Sequence, residues 1–185
     1  TEPTGPLKHL TGAGIHLLKN VFSLHRLRNP AFGFDNIQRV FTNMDVALNR
    51  GFGPDPRVTS ILFVPNTSKR LEEKTFAYTA AGGAFMADDR KFKHGAPANR
   101  IYVSGHFLND EIELQQISTL IHELAHYVSG QPIKIEHGHG VPKSGHMLKD
   151  RATFDRIAPE AKLRSPEHYA FFALAASFRR LVPQK

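Results

Sequence analysis

Two histidines and a glutamate stand close together in the segment His122-Glu123-Leu124-Ala125-His126. Side chains four residues apart on a helix lie on the same face, about one turn from each other. Both imidazoles can therefore bind one metal ion, and the glutamate can reach a water molecule on that ion. A zinc ion lowers the pKa of such a water toward ~7, so that the glutamate can take its proton. The segment thus predicts metal-activated attack by water.

The residues around this segment indicate a helix from Ile117 to Gly130. Apolar residues recur there at helical spacing, whereas His122 and His126 fall on a separate polar face that also carries Ser129. Gly130 suits the end of such a helix. This arrangement is the H-E-x-x-H signature that zinc metallopeptidases carry.

The composition limits the class of protein. A chain of 185 residues with ordinary hydrophobic content fits one domain with a sizeable core. It has no cysteine, so any zinc must be bound by histidine and carboxylate groups. The net charge of +7 is scattered and no nucleic-acid motif accompanies it, which favours a solvated basic surface over specific nucleic-acid binding.

No apolar run in the sequence approaches the length of a membrane span. The first residues lack the basic and apolar regions of a signal peptide, and the chain does not begin with methionine. We therefore expect a single domain over residues 1–185, and we expect it to be the C-terminal part of a longer protein.

The pattern of the whole chain predicts an α+β fold, and the H-E-x-x-H motif makes this fold resemble the zincin type. It consists of a helical N-terminus, a small mixed sheet, the motif helix and a C-terminal helix. Spacing of apolar residues predicts a first helix over Leu7 to Leu27, ended by Asn29-Pro30, and a second helix capped by Asp35. The last helix is predicted to begin with Ser165 as its N-cap and Pro166 in its first position.

Three apolar segments in the middle of the chain predict strands, at 60–64, 76–86 and 100–104. In zincin folds the motif helix packs against a sheet whose edge strand can bind an extended substrate by strand addition. Either the second or the third segment can be that edge strand, and the sequence does not decide between them.

A catalytic zinc site needs three protein ligands and one open position. The candidates for the third ligand are histidine and acidic side chains downstream of the motif: His137, His139, His146, Asp150, Asp155, Glu167 and His168. Those at 137–146 fall in a glycine-rich segment that predicts a long loop. Glu167 opens the last helix, which can present its carboxylate to the motif helix. From the residues alone these alternatives stay open.

The segments 122–126 and 166–172 together resemble the aspzincin peptidases, the group of deuterolysin and peptidyl-Lys metalloendopeptidase. Those enzymes follow the zinc motif with an Asn-Ala-Asp-x-Tyr-x-x-Phe-like segment. Here its acidic, aromatic and closing positions are Glu167, Tyr169 and Phe172. The chain is still more similar to bacterial zincin effector domains at the C-terminus of type VI secretion spike proteins. This resemblance covers Glu113 to Phe178 and implies that Glu167 is the third zinc ligand.

The chain departs from the aspzincin pattern in three ways. The Gly-Thr-x-x-Asp-x-x-Tyr-Gly stretch of the family is not cleanly present, and residues 149–155 lie where it would fall. Asp150 therefore stays a rival to Glu167 as third ligand. The disulfides of secreted fungal members are absent, and glutamate replaces aspartate at position 167, which lengthens the arm that carries the carboxylate.

We expect a zinc-dependent endopeptidase in which His122, His126 and Glu167 bind zinc. Glu123 would act as general base and then protonate the leaving amine. The developing oxyanion needs a further donor, for which Tyr169 is the first candidate. The other candidates for this donor, by position in the sequence, are His168, Tyr102 and His106.

The resemblance further implies a secreted effector toxin directed against bacteria or a host cell. It would act on protein or peptide substrates in the target cell's periplasm or in a host cell, as a monomeric domain of a larger protein, with an immunity protein as a partner. Two other functions stay open from the residues. One is a zinc-containing binding module whose basic surface contacts the cell envelope or nucleic acid, and the other is a zinc amidase that cleaves peptidoglycan.

Overall fold

The computed structural model describes residues 2–50, 61–63, 77–79, 101–103, 107, 113–130, 133–136 and 151–181. Its helices are α1 Gly12–Val21, α2 Pro30–Arg50, α3 Glu113–Tyr127, α4 Arg151–Arg156, α5 Pro159–Arg164 and α6 Pro166–Leu181. Two short 3₁₀ helices, Gly5–His9 and Leu24–Arg26, stand on either side of α1. The strands are β1 Ile61–Phe63, β2 Ala77–Thr79 and β3 Ile101–Val103. None of these helices combines the length and the apolar character that crossing a membrane requires.

The three strands form one sheet in the order β1-β3-β2. β1 pairs with β3 in parallel, with Ile61 opposite Ile101, and β2 pairs with β3 antiparallel, with Ala77 opposite Val103. Within the described residues β3 is therefore the central strand and β2 lies at an edge. Of the two predicted edge strands, the segment at 100–104 contains the central strand, whereas the segment at 76–86 contains an edge strand.

The prediction of an α+β fold is wrong, because the described part of the chain is predominantly helical. Within the described ranges each strand extends over three residues, fewer than the roughly five or six of an ordinary strand. Most of the buried apolar side chains come from helices or from the turns that join them. In the part of the chain that the structure describes, helix packing against helix thus forms the core, and the sheet is a small element beside the motif helix.

The predicted first helix from Leu7 to Leu27 is broken into an α-helix between two 3₁₀ turns. Thr11 begins α1, because its hydroxyl accepts a hydrogen bond from the Gly14 amide at 3.2 Å. Ser23 stands just beyond α1 with a φ of 51°, in the left-handed region that an α-helix of L-residues does not continue through. These two residues, and not the apolar spacing, therefore set the ends of the helix.

The sequence predicted that Asn29-Pro30 ends the first helix. In the structure the same two residues also begin α2. The Asn29 side-chain oxygen accepts a hydrogen bond from the Phe32 amide at 3.1 Å, and Pro30 occupies the first helical position. The predicted cap, Asp35, consequently lies inside the helix. The same dipeptide can end one helix and start the next, since proline is unfavourable only after the first turn.

An aromatic cluster fixes α6 against the N-terminal helices. Tyr169 and Phe172 of α6 pack against Phe22, which follows α1, with ring centroids 5.0 and 6.4 Å apart. The same two rings pack against Phe41 of α2 at 5.6 and 5.5 Å. Each such aromatic pair contributes about 0.5–1.5 kcal/mol beyond the burial of apolar area. The cluster therefore fixes the rotation of α6 and, with it, which side of its first turn faces the motif helix.

The motif helix α3 packs chiefly against α6. The two helices that the sequence predicted to form the site are thus both present and adjacent. α6 begins at Pro166, as predicted, but the buried hydroxyl of Ser165 makes no hydrogen bond within the described residues. Ser165 therefore does not cap the helix with its side chain. α3 begins at Glu113, before the predicted Ile117, and ends at Tyr127, three residues before the predicted end at Gly130, which has a φ of 113°.

Two basic side chains are buried beside this core. The Lys162 ammonium donates to the Ser23 hydroxyl at 2.9 Å and to the Asp155 carbonyl at 3.4 Å. His168 is fully buried and stacks on Phe154, with ring centroids 3.9 Å apart. Burial, with a smaller effect of the Lys162 charge, lowers the pKa of His168 to about 3. His168 is therefore a neutral core residue in the folded protein near pH 7.

Replacement of His168 by phenylalanine should make the stability of the protein less sensitive to acid. The unfolded chain protonates His168 below its ordinary pKa of 6.5, whereas the folded protein keeps it neutral down to about pH 3. Folding stability is therefore lost as the pH falls from 6.5 toward 3, on the order of 3 kcal/mol by about pH 4. Urea denaturation of both proteins between about pH 7 and pH 4 measures the difference. Equal losses in the two proteins would contradict the assignment.

Candidate metal centre

The motif helix brings its two histidines together, as the spacing predicts. The ring centroids of His122 and His126 are 4.9 Å apart, and the rings meet edge to face at 68°. His122 is only 5% exposed and His126 is partly buried. Their position one turn apart on α3 follows directly from helix geometry.

Glu123 is buried on the same helix, with 6% of its surface exposed. Acidic side chains are rarely buried to this extent, because removal of a carboxylate from water costs free energy unless other groups compensate. The negative charge of Glu123 is one of the influences that raise the pKa of His122. The motif glutamate therefore lies in the interior beside the histidines and not on a solvated face of the helix.

Glu167 reaches the motif from the first turn of α6. One of its carboxylate oxygens, Oε1, lies 3.0 Å from Nδ1 of His122, and both side chains are 7% exposed. The two groups are in close contact. Their separation is close to the roughly 3.3 Å between two donors held about 2.0 Å from one tetrahedral zinc. The structure brings Glu167 to His122, and its role as a zinc ligand stays a prediction.

The protonation of His122 reflects these neighbours. Burial acts to lower the pKa of His122, but the contact and charge of Glu167, together with the charge of Glu123, outweigh it. The pKa of His122 is therefore raised above its ordinary value of 6.5. Surroundings that favour the protonated imidazole also favour a metal cation, and the proton and the metal compete for the same histidine.

A backbone carbonyl orients the second histidine. Nδ1 of His126 lies 3.3 Å from the carbonyl oxygen of Ile135. Histidines that bind zinc almost always direct their second ring nitrogen at a carbonyl, carboxylate or water. His126 shows this pattern, with its Nδ1 directed at the Ile135 carbonyl.

The partner of His126 was not among the residues predicted from the sequence. Ile135 contacts His126 through its backbone carbonyl, so the identity of its side chain does not indicate this contact. Ser129, which bonds the backbone of Ile135, lies on the same polar face as the histidines, and this position was the available signal. The segment 133–136, which follows the motif helix, therefore belongs to the site.

The donor set fits zinc, because two imidazoles and a carboxylate are the ligands that a catalytic zinc takes in a protein without cysteine. Within the described ranges, however, no group of three or more histidine or acidic side chains is arranged to hold a metal ion. The rivals His137, His139, His146 and Asp150 lie outside those ranges. Asp155 is exposed on α4, and His168 stacks on Phe154 in the core.

The structure places Tyr169 in the core and corrects the prediction that it stabilises the oxyanion. Tyr169 is fully buried, and its hydroxyl donates to the Leu163 carbonyl at 2.9 Å. Burial raises the pKa of this phenol well above its ordinary value. Residues two apart on a helix point about 200° away from each other, so Tyr169 faces away from the side that carries Glu167.

The other candidates for the oxyanion donor receive no support from the described residues. His168 is buried against Phe154, where its ring cannot meet a substrate. Tyr102 belongs to the central strand β3, and His106 lies outside the described residues.

Comparisons of the chain with protein families, curated proteins and solved structures give no match. The resemblance to the aspzincins therefore rests on the motif residues 122–126 and 166–172 alone.

Replacement of Tyr169 by phenylalanine should destabilise the fold without disturbing the candidate site. The Leu163 carbonyl would lose its buried donor, at a cost of about 1–3 kcal/mol. Urea denaturation measures this loss, and the chemical shifts of His122 and His126 should stay unchanged. An undiminished stability, or a perturbation confined to the two histidines, would contradict the packing role.

Replacement of Glu167 by glutamine should lower the pKa of His122 in the metal-free protein. The neutral amide removes the charge that holds this pKa up, while the burial that lowers it remains. Titration of the histidine resonances by NMR measures the change. Glu160→Gln is the matched control, because Glu160 is an exposed glutamate in the first turn of α5. An unchanged His122 pKa in Glu167→Gln would contradict the described contact.

Proposed function

We propose that this chain is a zinc-dependent endopeptidase. The observation that carries the proposal is the junction of α3 and α6, where His122 and His126 lie 4.9 Å apart beside the buried Glu123. Glu167 contacts the first histidine and the Ile135 carbonyl contacts the second. Burial of this many ionisable groups is unfavourable in a helix pair that serves packing alone, and a bound cation would offset the cost.

His122 and His126 would hold the zinc, and Glu167 is proposed as the third protein ligand. When bound, zinc supplies a Lewis acid that lowers the pKa of water toward ~7 and polarises a scissile carbonyl. Glu123 accepts the proton of the attacking water and delivers it to the leaving amine. Because Glu123 is buried, its carboxylate acts outside bulk water, where its electrostatic interactions are stronger.

An extended peptide is the substrate that the surroundings of the motif helix favour. β2 lies at an edge of the described sheet and packs against α3. An edge strand has unpaired backbone groups, to which a peptide can add as a further strand. Such binding would place a peptide bond near the motif, as the resemblance to the aspzincin endopeptidases implies.

The place of action is proposed from the resemblance to secretion effector domains. The chain would then be delivered as part of a larger protein and act in the periplasm of a competing bacterium or in a host cell. In the producing cell, an immunity protein would block the same site.

Replacement of Glu123 by glutamine should leave zinc binding intact and reduce hydrolysis by about 10²–10⁴-fold, because the general base is lost. The zinc content is measured by elemental analysis, and hydrolysis by mass spectrometry of an unfolded casein substrate. Glu113→Gln is the matched control, since Glu113 is an exposed glutamate in the first turn of the same helix. Full activity in Glu123→Gln would remove the peptidase mechanism.

A crystal structure with anomalous data at the zinc edge tests the site itself. The protein should be purified without chelator, and zinc is expected at His122, His126 and Glu167 with one open position. A fourth protein ligand on zinc would indicate a structural metal and a binding module. Release of fragments from purified peptidoglycan, without cleavage of casein, would instead identify an amidase.

A further inference from the structure

We propose that Ser129 is a positioning residue that holds the Ile135 carbonyl against His126 and thereby selects the ring nitrogen that binds the metal. The inference rests on the proposed zinc site and adds to it the element that orients one of its ligands. Ser129 touches neither substrate nor metal in this role. It acts through the backbone of Ile135.

The Ser129 hydroxyl binds both backbone polar groups of one residue. It donates to the Ile135 carbonyl at 3.1 Å and accepts from the Ile135 amide at 2.7 Å. Ser129 is 7% exposed and Ile135 is 3% exposed, so water has little access to replace either bond. A rotated peptide would leave buried backbone groups without hydrogen-bond partners, so the paired arrangement is strongly preferred.

The remainder of the segment 133–136 is fixed at both of its ends. On one side the Gly130 amide donates to the Ile133 carbonyl at 3.1 Å, just beyond the motif helix. On the other side the Glu136 amide donates to the Arg164 carbonyl at 3.0 Å, and the Glu136 carboxylate pairs with the Arg164 guanidinium. The segment thus bridges the end of α3 to α5, and Ser129 sets the orientation of the peptide group between these two attachments.

The Ile135 carbonyl can only accept hydrogen bonds, and it lies 3.3 Å from Nδ1 of His126. A neutral imidazole carries its hydrogen on one nitrogen alone, so this contact favours the tautomer with the hydrogen on Nδ1. The lone pair is then on Nε2, the nitrogen that can bind a metal. If the carbonyl turned away, His126 would populate both tautomers and would have to reorganise before it bound zinc.

The effect on the tautomer can be measured in the zinc-free full chain. We expect NMR of isotope-labelled histidine to show the hydrogen of His126 on Nδ1 in the natural protein and a mixture of tautomers in Ser129→Ala. Ser129→Thr keeps the hydroxyl and should restore the natural tautomer. Ser177→Ala is the matched control, because the Ser177 hydroxyl is exposed and bonds only a carbonyl of its own helix in the described structure.

The effect on the metal is measured by competition with a chromogenic chelator. Zinc affinity should fall about 10–100-fold in Ser129→Ala, as for other groups that orient a zinc-binding histidine. It should be unchanged in Ser177→Ala and close to natural in Ser129→Thr. If Ser129→Ala unfolds, the natural protein and Ser129→Thr still test the tautomer assignment.

The outcomes separate this inference from the proposed function. If Ser129→Ala binds zinc as tightly as the natural protein and keeps the same His126 tautomer, the positioning role is overturned. The proposed peptidase function is then unaffected. Natural protein with the Nδ1 tautomer and no zinc affinity would overturn the zinc site, and the positioning role with it. If Ser129→Ala, but neither Ser129→Thr nor Ser177→Ala, loses zinc affinity and shows a mixture of His126 tautomers, the result supports both the zinc site and the positioning role.

Discussion

The burial of ionisable side chains between α3 and α6 is the constraint on which the rest of this structure depends. His122, Glu123 and Glu167 are each about 5–6% exposed, although groups of this kind normally stay in water. Each such burial costs several kcal/mol unless partners compensate. The contact between His122 and Glu167 compensates in part, and a bound cation would complete the compensation. The chemistry of the site and the stability of the helix pair are therefore coupled.

The remainder of the helical core supplies the rigidity that this junction needs. α6 uses opposite faces for the two tasks, with Glu167 toward the motif helix and Tyr169 toward Phe22 and Phe41. Because the aromatic cluster fixes the rotation of α6, it also fixes the direction of the carboxylate. Side chains far from His122 and His126 can therefore change the candidate site through the position of this helix.

The prediction of the fold class failed for an identifiable reason. The segments at 60–64, 76–86 and 100–104 contain strands, but within the described residues each strand extends over three residues only. Apolar runs indicate where a strand can form and not how far neighbouring strands pair. In the N-terminal part the apolar period identified helical structure, while Thr11 and Ser23 set boundaries through a hydrogen bond and a backbone conformation that the period does not carry.

The sequence by itself determined the features that depend on residues close together in the chain. The spacing of His122 and His126 and the start of α6 at Pro166 are of this kind, because helix geometry and proline chemistry act over a few residues. Only the tertiary structure decided that Glu167 reaches His122, that Tyr169 belongs to the core, and that a carbonyl orients His126. These contacts join separate elements, so they depend on how the helices pack and not on local spacing.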